Sequence, residues 1–231
     1  FFVESFLSGF NALAEETGVV LAGGDTVQSP AAAVITVTLV GHCPKGRVVY
    51  RSGAQVGDDI YVTGPLGNAG AGLFLLLSES PPGHSGYESL IAAHQRPKPR
   101  LDMGRALGEK GLANAMIDLS DGISKDLGHV CQESHTGALL QGRSIPMSEP
   151  LLRLAAQKNK DPKDWALNSG EDYELLFTAS KENRKSVAAL STAILGAPAA
   201  RIGTIVKGRR IKIRTPDGEA DLPLGGYSHF A

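Results

Sequence analysis

Hydrophobic residues near the start of the chain recur every three or four positions, namely Phe2, Phe6, Phe10 and Leu13. This spacing predicts an amphipathic helix that ends at Gly18. Residues 33–40 are instead a continuous run rich in β-branched side chains, which predicts a strand. A second strand is predicted at residues 59–63. The first part of the chain therefore combines a helix with strands.

Further along the chain, both helical and strand patterns occur. Helices are predicted at residues 73–77, on both sides of 96–100, from 123 to 130, at 149–156 and at 181–194. Strands are predicted at residues 115–118, 173–178, 202–206 and 210–214. Residues 80–86 have the most linker-like composition. Because helices and strands mix without strict alternation, the sequence favours an α+β fold over a doubly wound sheet.

Composition narrows the class of protein. The 231 residues carry 23 basic and 24 acidic side chains, so no overall positive field attracts nucleic acid. No apolar run approaches the roughly 20 residues of a membrane helix, and no basic leader opens the chain, so we expect a cytoplasmic protein. Cys43 and Cys131 are far apart, which argues against a disulfide framework and a structural zinc site.

Two carboxylates follow the predicted strand at 115–118. Asp118 and Asp121 lie three residues apart and precede Gly122 and a helix, which places both acids at one edge of a sheet. Such oxygen ligands suit Mg²⁺ with substrate phosphates in its coordination shell. The alternative is that Asp121 only caps the following helix. These residues alone do not separate the two hypotheses.

Two glycine-containing segments are further candidates. Residues 23–26 combine two glycines with Asp25 and Thr26, so they could complete a metal–phosphate site or form an ordinary polar turn. Residues 64–72 could cradle phosphates with backbone N–H groups at a helix start. That second segment matches no P-loop pattern, so any ATP would be bound without a P-loop lysine.

Acidic residues also precede the strand predicted at 173–178. Residues 169–175 concentrate Glu171, Asp172 and Glu174 around a turn, which could be a site or a solvated loop. Arg51 could pair with a phosphate, although an exposed arginine needs no ligand. The histidines show no metal-ligand spacing, and neither cysteine has the context of a nucleophile. Because no G-x-S-x-G segment is present either, covalent hydrolase chemistry is not expected.

In this order, the segments resemble the thiamine-monophosphate kinases. The resemblance rests on residues 21–26, 51–54, 62–64, 96–101, 117–122 and 170–175. It implies a two-domain α+β enzyme, similar to aminoimidazole ribonucleotide synthetase, that uses ATP to convert thiamine phosphate into thiamine diphosphate. It also implies binding of several Mg²⁺ ions and a homodimer when the protein is full length.

The resemblance assigns roles by position. Asp25, Asp118 and Asp121 would bind Mg²⁺, and Asp25 would also lie beside the nucleotide. Gly24, Arg51 and Ser120 would contact ATP. Glu171 and Tyr227 would face thiamine phosphate. No side chain is assigned as a nucleophile or base, because metal-assisted positioning would carry the in-line transfer.

Relatives of this family carry about a hundred residues before the position that matches Phe1. We therefore expect residues 1–47 to be the last part of an N-terminal ATP- and metal-binding domain, and residues 48–231 to form the C-terminal α+β domain. Two alternatives stay open. The chain could belong to another ATP-using enzyme of the same superfamily, or it could be an inactive interaction domain.

Overall fold

The computed structural model describes residues 2–78, 85–222 and 225. Within them, eight helices are α1 Phe2–Thr17, α2 Asn68–Leu77, α3 Glu88–Gln95, α4 Leu101–Glu109, α5 Ile123–Glu133, α6 Glu149–Lys158, α7 Pro162–Asn168 and α8 Arg184–Leu195. Short 3-10 turns span Gly142–Ser144 and Lys181–Asn183. None of the helices in these residues is both long and apolar enough to span a membrane.

Seven strands form one sheet. They are β1 Asp59–Val62, β2 Ala115–Asp118, β3 Gly137–Gln141, β4 Leu175–Ala179, β5 Ala200–Val206, β6 Ile211–Thr215 and β7 Gly218–Asp221. Their order is β2-β4-β1-β5-β3-β6-β7. All neighbouring strands pair antiparallel except β3 and β6, which run parallel. The α+β fold class is therefore confirmed.

The core lies on both faces of this sheet. All four residues of β1 are buried, as expected of a central strand. Ile60 and Val62 belong to a cluster with the inner side of α5, whereas Tyr61 packs with residues of α4 and α8. Because successive side chains of a strand point to opposite faces, these two clusters lie on opposite sides of the sheet. A third cluster joins α2, α3 and α6.

The chain divides into two compact units, residues 1–43 and 44–231. The first contains α1, which Gly18 follows with a left-handed φ of 70°, as its spacing predicts. The structure assigns no strand to residues 33–40, so that prediction is wrong. A β-branched run has strand propensity, but a strand forms only when a neighbour accepts and donates its backbone hydrogen bonds. The described residues supply no such neighbour.

Other differences are smaller. Strand β4 begins at Leu175 rather than residue 173, because the residues before it turn instead of extending. Helix α2 begins five residues earlier than predicted. Helix α7 and strands β3 and β7 were not predicted, since each has at most seven residues and a weak pattern. Most of the proposed linker at 80–86 lies outside the described residues.

Candidate functional site

The acidic loop, residues 118–122, connects the end of β2 to the start of α5. Gly122 occupies the N-cap position of α5 with φ 105° and offers no side chain for capping. The Asp121 carboxylate instead forms an ion pair with Lys125, in which Oδ2 and Nζ lie 2.7 Å apart. The hypothesis that Asp121 merely caps the helix is therefore wrong. Asp118 is exposed and Asp121 is half-buried at the same sheet edge.

A third carboxylate, that of the buried Asp126, supports this loop through a backbone hydrogen bond. Asp126 is only 2% exposed, and its Oδ2 accepts a hydrogen bond from the Asp121 N–H at 3.1 Å. Burial is the main cause that raises the pKa of the Asp126 carboxyl to about 6. Ligand atoms of Asp121, Asp126 and His129 lie within 4.8 Å of one another. Sequence reasoning missed Asp126, although an acid in the first turn of a helix is a common signal for support of its N-terminus.

The second predicted acidic segment lies against the first. We call residues 170–174 the Glu171 turn. The Glu171 N–H donates to the Ser120 carbonyl at 2.9 Å, and the Tyr173 N–H donates to the Leu119 carbonyl at 2.9 Å. The structure therefore brings Ser120 and Glu171 together, in agreement with the idea of one site.

The backbone of the Glu171 turn is unusual. Glu171 and Tyr173 have φ values of 69° and 49°, which non-glycine residues adopt at a cost of about 1–2 kcal/mol each. The Tyr173 hydroxyl lies 3.4 Å from Glu171 Oε1, to which it donates. Burial and the negative charge of Glu171 raise the pKa of Tyr173. Strained residues of this kind concentrate at functional sites.

Gly170 allows the close approach of the two segments. A Cβ atom at this position would lie 2.1 Å from the Ser120 carbonyl oxygen, which is part of the backbone and cannot move alone. We expect Gly170→Ala to lower the free energy of unfolding by about 1–3 kcal/mol, as overpacking does. Denaturant unfolding measures this change. Gly41→Ala is the control, since its Cβ would meet nothing within 4 Å, and an equal loss in both variants would contradict the contact.

Asp172 connects the Glu171 turn to α2. Its Oδ2 accepts from the Gly67 N–H at 2.6 Å, and its Oδ1 accepts from the Ala69 N–H at 3.2 Å. These N–H groups at the start of α2 are therefore occupied by a carboxylate of the chain itself. These two groups are not free to bind a phosphate, and for the rest of residues 64–72 that role stays a prediction. Burial raises the pKa of the Asp172 carboxyl to about 6, against the opposing effect of the backbone N–H groups.

The third acid of the turn has a structural partner. The Glu174 side chain, 7% exposed, forms a two-pronged ion pair with the Arg100 guanidinium. The Thr63 hydroxyl also donates to Glu174 Oε2. The basic segment 96–100 therefore contributes Arg100 to the support of the turn.

Arg51 is not brought to the acidic loop. Its guanidinium pairs with Glu133 at 3.0 Å, and the Ser134 hydroxyl accepts from the N–H groups of Gly53 and Ala54. These contacts attach residues 51–54 to the C-terminal end of α5, whereas Asp121 precedes its N-terminal end. Helix α5 has 11 residues, so its two ends lie about 16 Å apart. The neighbouring Tyr50 carbonyl accepts from the Met116 N–H of β2 at 3.0 Å.

The remaining predicted residues lie elsewhere. Gly24 and Asp25 belong to the unit of residues 1–43, and the Asp25 carboxylate accepts from the Thr26 N–H at 2.8 Å. Both are exposed, and a Cβ at Gly24 would meet nothing within 4 Å. Tyr227 lies outside the described residues. The roles of these three residues stay predictions.

Comparison with known proteins identifies the family. Residues 55–215 match the model of the AIR synthase related protein, C-terminal domain. The chain is 39% identical to a thiamine-monophosphate kinase of Escherichia coli K12 over 99% of its length and 69% of that protein.

Two solved structures agree with this result. The thiamine-monophosphate kinase of Stenotrophomonas maltophilia K279a has a TM-score of 0.76 and 33% identity, over 91% of this chain and 66% of that one. AaThiL complexed with AMPPCP and TMP has a TM-score of 0.68 and 33% identity, over 79% of this chain and 54% of that one. The chain belongs to the thiamine-monophosphate kinase family.

Proposed function

We propose that the protein transfers the terminal phosphoryl group of ATP to thiamine phosphate and forms ADP and thiamine diphosphate. The observation that carries this proposal is the 39% identity with the Escherichia coli kinase over nearly the whole chain. A related structure binds AMPPCP, an ATP analogue, together with TMP. The hydrogen-bonded contact between the acidic loop and the Glu171 turn supports the proposal, since it would allow the two substrates to meet at one site.

Asp118, Asp121 and Asp25 are the proposed ligands of Mg²⁺. The donor set of the acidic loop fits this ion, because it consists of carboxylate oxygens at a half-exposed sheet edge and contains no thiolate. Bound Mg²⁺ would neutralise the phosphate charges as they approach each other. The chain itself contributes the position of the loop, which Asp126 holds through the Asp121 N–H.

Ser120, Gly24 and Arg51 are the proposed contacts to ATP. Of these three residues, Ser120 belongs to the acidic loop itself. Arg51 lies at the far end of α5, so we propose that the nucleotide extends along this helix. Phosphoryl transfer relies on positioning and charge stabilisation, and the acceptor is already an anionic phosphate. A strong general base is therefore not required, which fits the absence of a nucleophile pattern in the sequence.

Glu171 and Tyr227 are the proposed contacts to thiamine phosphate. The thiazolium ring of thiamine is a cation, and the exposed Glu171 carboxylate offers it an opposite charge. Tyr227 would provide an aromatic surface for stacking. We further propose that the enzyme acts as a homodimer in the cytoplasm.

A direct assay tests the reaction. The complete natural protein is incubated with ATP, Mg²⁺ and thiamine phosphate, and thiamine diphosphate is measured by chromatography. We expect formation of thiamine diphosphate in equal amount to ADP. ADP formation only with a phosphoribosyl amidine would instead indicate a cyclase of the same superfamily. Absence of Mg²⁺-dependent ATP binding would favour an interaction domain.

The role of Glu171 is tested by Glu171→Gln. Loss of one charge-assisted contact to the thiazolium should raise the KM for thiamine phosphate about tenfold, which corresponds to about 1.4 kcal/mol. The KM for ATP should change by less than about twofold. Glu182→Gln is the control, because Glu182 is an exposed acid outside the site. Equal changes for both substrates would contradict the assignment.

A further inference from the structure

Asp172 lies between the two residues of the Glu171 turn that have left-handed backbone conformations. Its neighbours Glu171 and Tyr173 both pay a conformational cost, and neither is glycine. Such a turn persists only when its surroundings hold it. Contacts on two sides hold this turn in place.

The carboxylate of Asp172 is one such contact. Both of its oxygens are engaged, one by the Gly67 N–H and the other by the Ala69 N–H. Helix α2 has Gly67 at its N-cap and no side-chain cap from its own segment. Asp172 therefore supplies the cap from 105 positions further along the chain. The same bonds attach the turn to a helix whose Ala69 and Ala71 are fully buried.

On its other side, the turn is attached to the acidic loop. The N–H groups of Glu171 and Tyr173 donate to the carbonyls of Ser120 and Leu119. The turn is thus fixed between α2 and the loop that carries the proposed Mg²⁺ ligands. The Asp172 carboxylate makes the hydrogen bonds that attach the turn to α2.

We propose that Asp172 is a positioning residue that sets the location of Glu171 relative to the acidic loop, and thereby the binding of thiamine phosphate. This inference rests on the proposed function. Asp172 itself bonds to the backbone of α2, so its effect on the substrate passes through the Glu171 turn. Substitution of Asp172 should therefore change the KM for thiamine phosphate more than the KM for ATP.

The first test is Asp172→Asn in the complete natural protein. The amide replaces one of the two acceptor oxygens with an NH₂ donor, so one of the two backbone N–H groups would face a donor instead of an acceptor. We expect the KM for thiamine phosphate to rise about 10- to 100-fold, because small displacements of a positioning group have effects of this size. The KM for ATP should change by less than about twofold. Amide hydrogen exchange at Glu171 and Tyr173 should become faster.

Val187→Ala is the matched control. Val187 is fully buried in the cluster with α4, on the face of the sheet opposite α5, so its truncation destabilises the unit without touching the turn. Should Asp172→Asn fail to fold, Asp172→Ser retains one acceptor oxygen and should show the same selective change. An unchanged KM for thiamine phosphate, or a change that Val187→Ala reproduces, would overturn the proposal. If the unaltered protein forms no thiamine diphosphate, the proposed function fails instead.

Discussion

Asp121→Asn is expected to lower kcat/KM for the kinase reaction by about 1,000-fold or more, equivalent to about 4 kcal/mol of transition-state stabilisation. The amide keeps the size of the side chain but removes the charge that would bind Mg²⁺. It also removes one partner of the ion pair with Lys125 at 2.7 Å. The hydrogen bond from the Asp121 N–H to Asp126 is a backbone contact and should remain, so the fold should be preserved. Steady-state kinetics and circular dichroism measure the two effects.

Asp217→Asn is the control for this variant. Asp217 is exposed in the turn between β6 and β7, whereas the acidic loop follows β2. Strands β2 and β7 form opposite edges of the sheet. The control should retain full activity. Wild-type turnover by Asp121→Asn would reject the assignment of Asp121 as a metal ligand, and a lost fold in that variant would show a structural role.

Arg100→Met is expected to lower the free energy of unfolding by about 3 kcal/mol, because it leaves the Glu174 carboxylate buried without its cation. The Glu174 side chain is only 7% exposed, and both of its oxygens accept from the Arg100 guanidinium. For a unit of this size, the midpoint of thermal unfolding should fall by roughly 6–12 °C. Calorimetry measures the shift.

The comparison variant is Arg214→Met, which breaks the ion pair with Glu219 on the surface. Exposed pairs contribute about 1 kcal/mol or less, so this change should be small. A second comparison is the double variant Arg100→Met with Glu174→Gln, which removes both charges. It should recover much of the lost stability. Equal losses from Arg100→Met and Arg214→Met would contradict the importance of the buried pair.

The sequence allowed prediction of those features whose causes are local. The helical spacing from Phe2 and the change to a strand before Asp118 depend on neighbouring residues, and the structure agrees with both. The prediction of a strand at residues 33–40 was wrong, because a strand forms only beside another strand that pairs with its backbone. The predicted start of β4 at residue 173 was wrong for a different reason. Glu171 and Tyr173 adopt left-handed backbone conformations that residue type does not indicate.

The site was predictable only in part. Asp118, Asp121, Ser120 and Glu171 were singled out, and the structure places them on two adjoining segments. The residues that support those segments were not assigned. Arg100 meets Glu174 across 74 positions, and Asp172 meets Gly67 across 105. Contacts at such separations leave no periodic signal in one sequence. The two glycines at 23–24 carried a local signal, but their role stays a prediction.

Helix α5 acts as a spacer of fixed length between the acidic loop and residues 51–54. Its N-terminal end adjoins the acidic loop, and its C-terminal end is bonded to residues 51–54 through Glu133 and Ser134. A single inserted residue would advance one end by about 1.5 Å and rotate it by about 100°, so the two ends would lose their mutual orientation. An insertion of seven residues would restore the phase but lengthen the spacer by about 10 Å. The interior of α5 should therefore tolerate substitution on its outer side while tolerating no change in length.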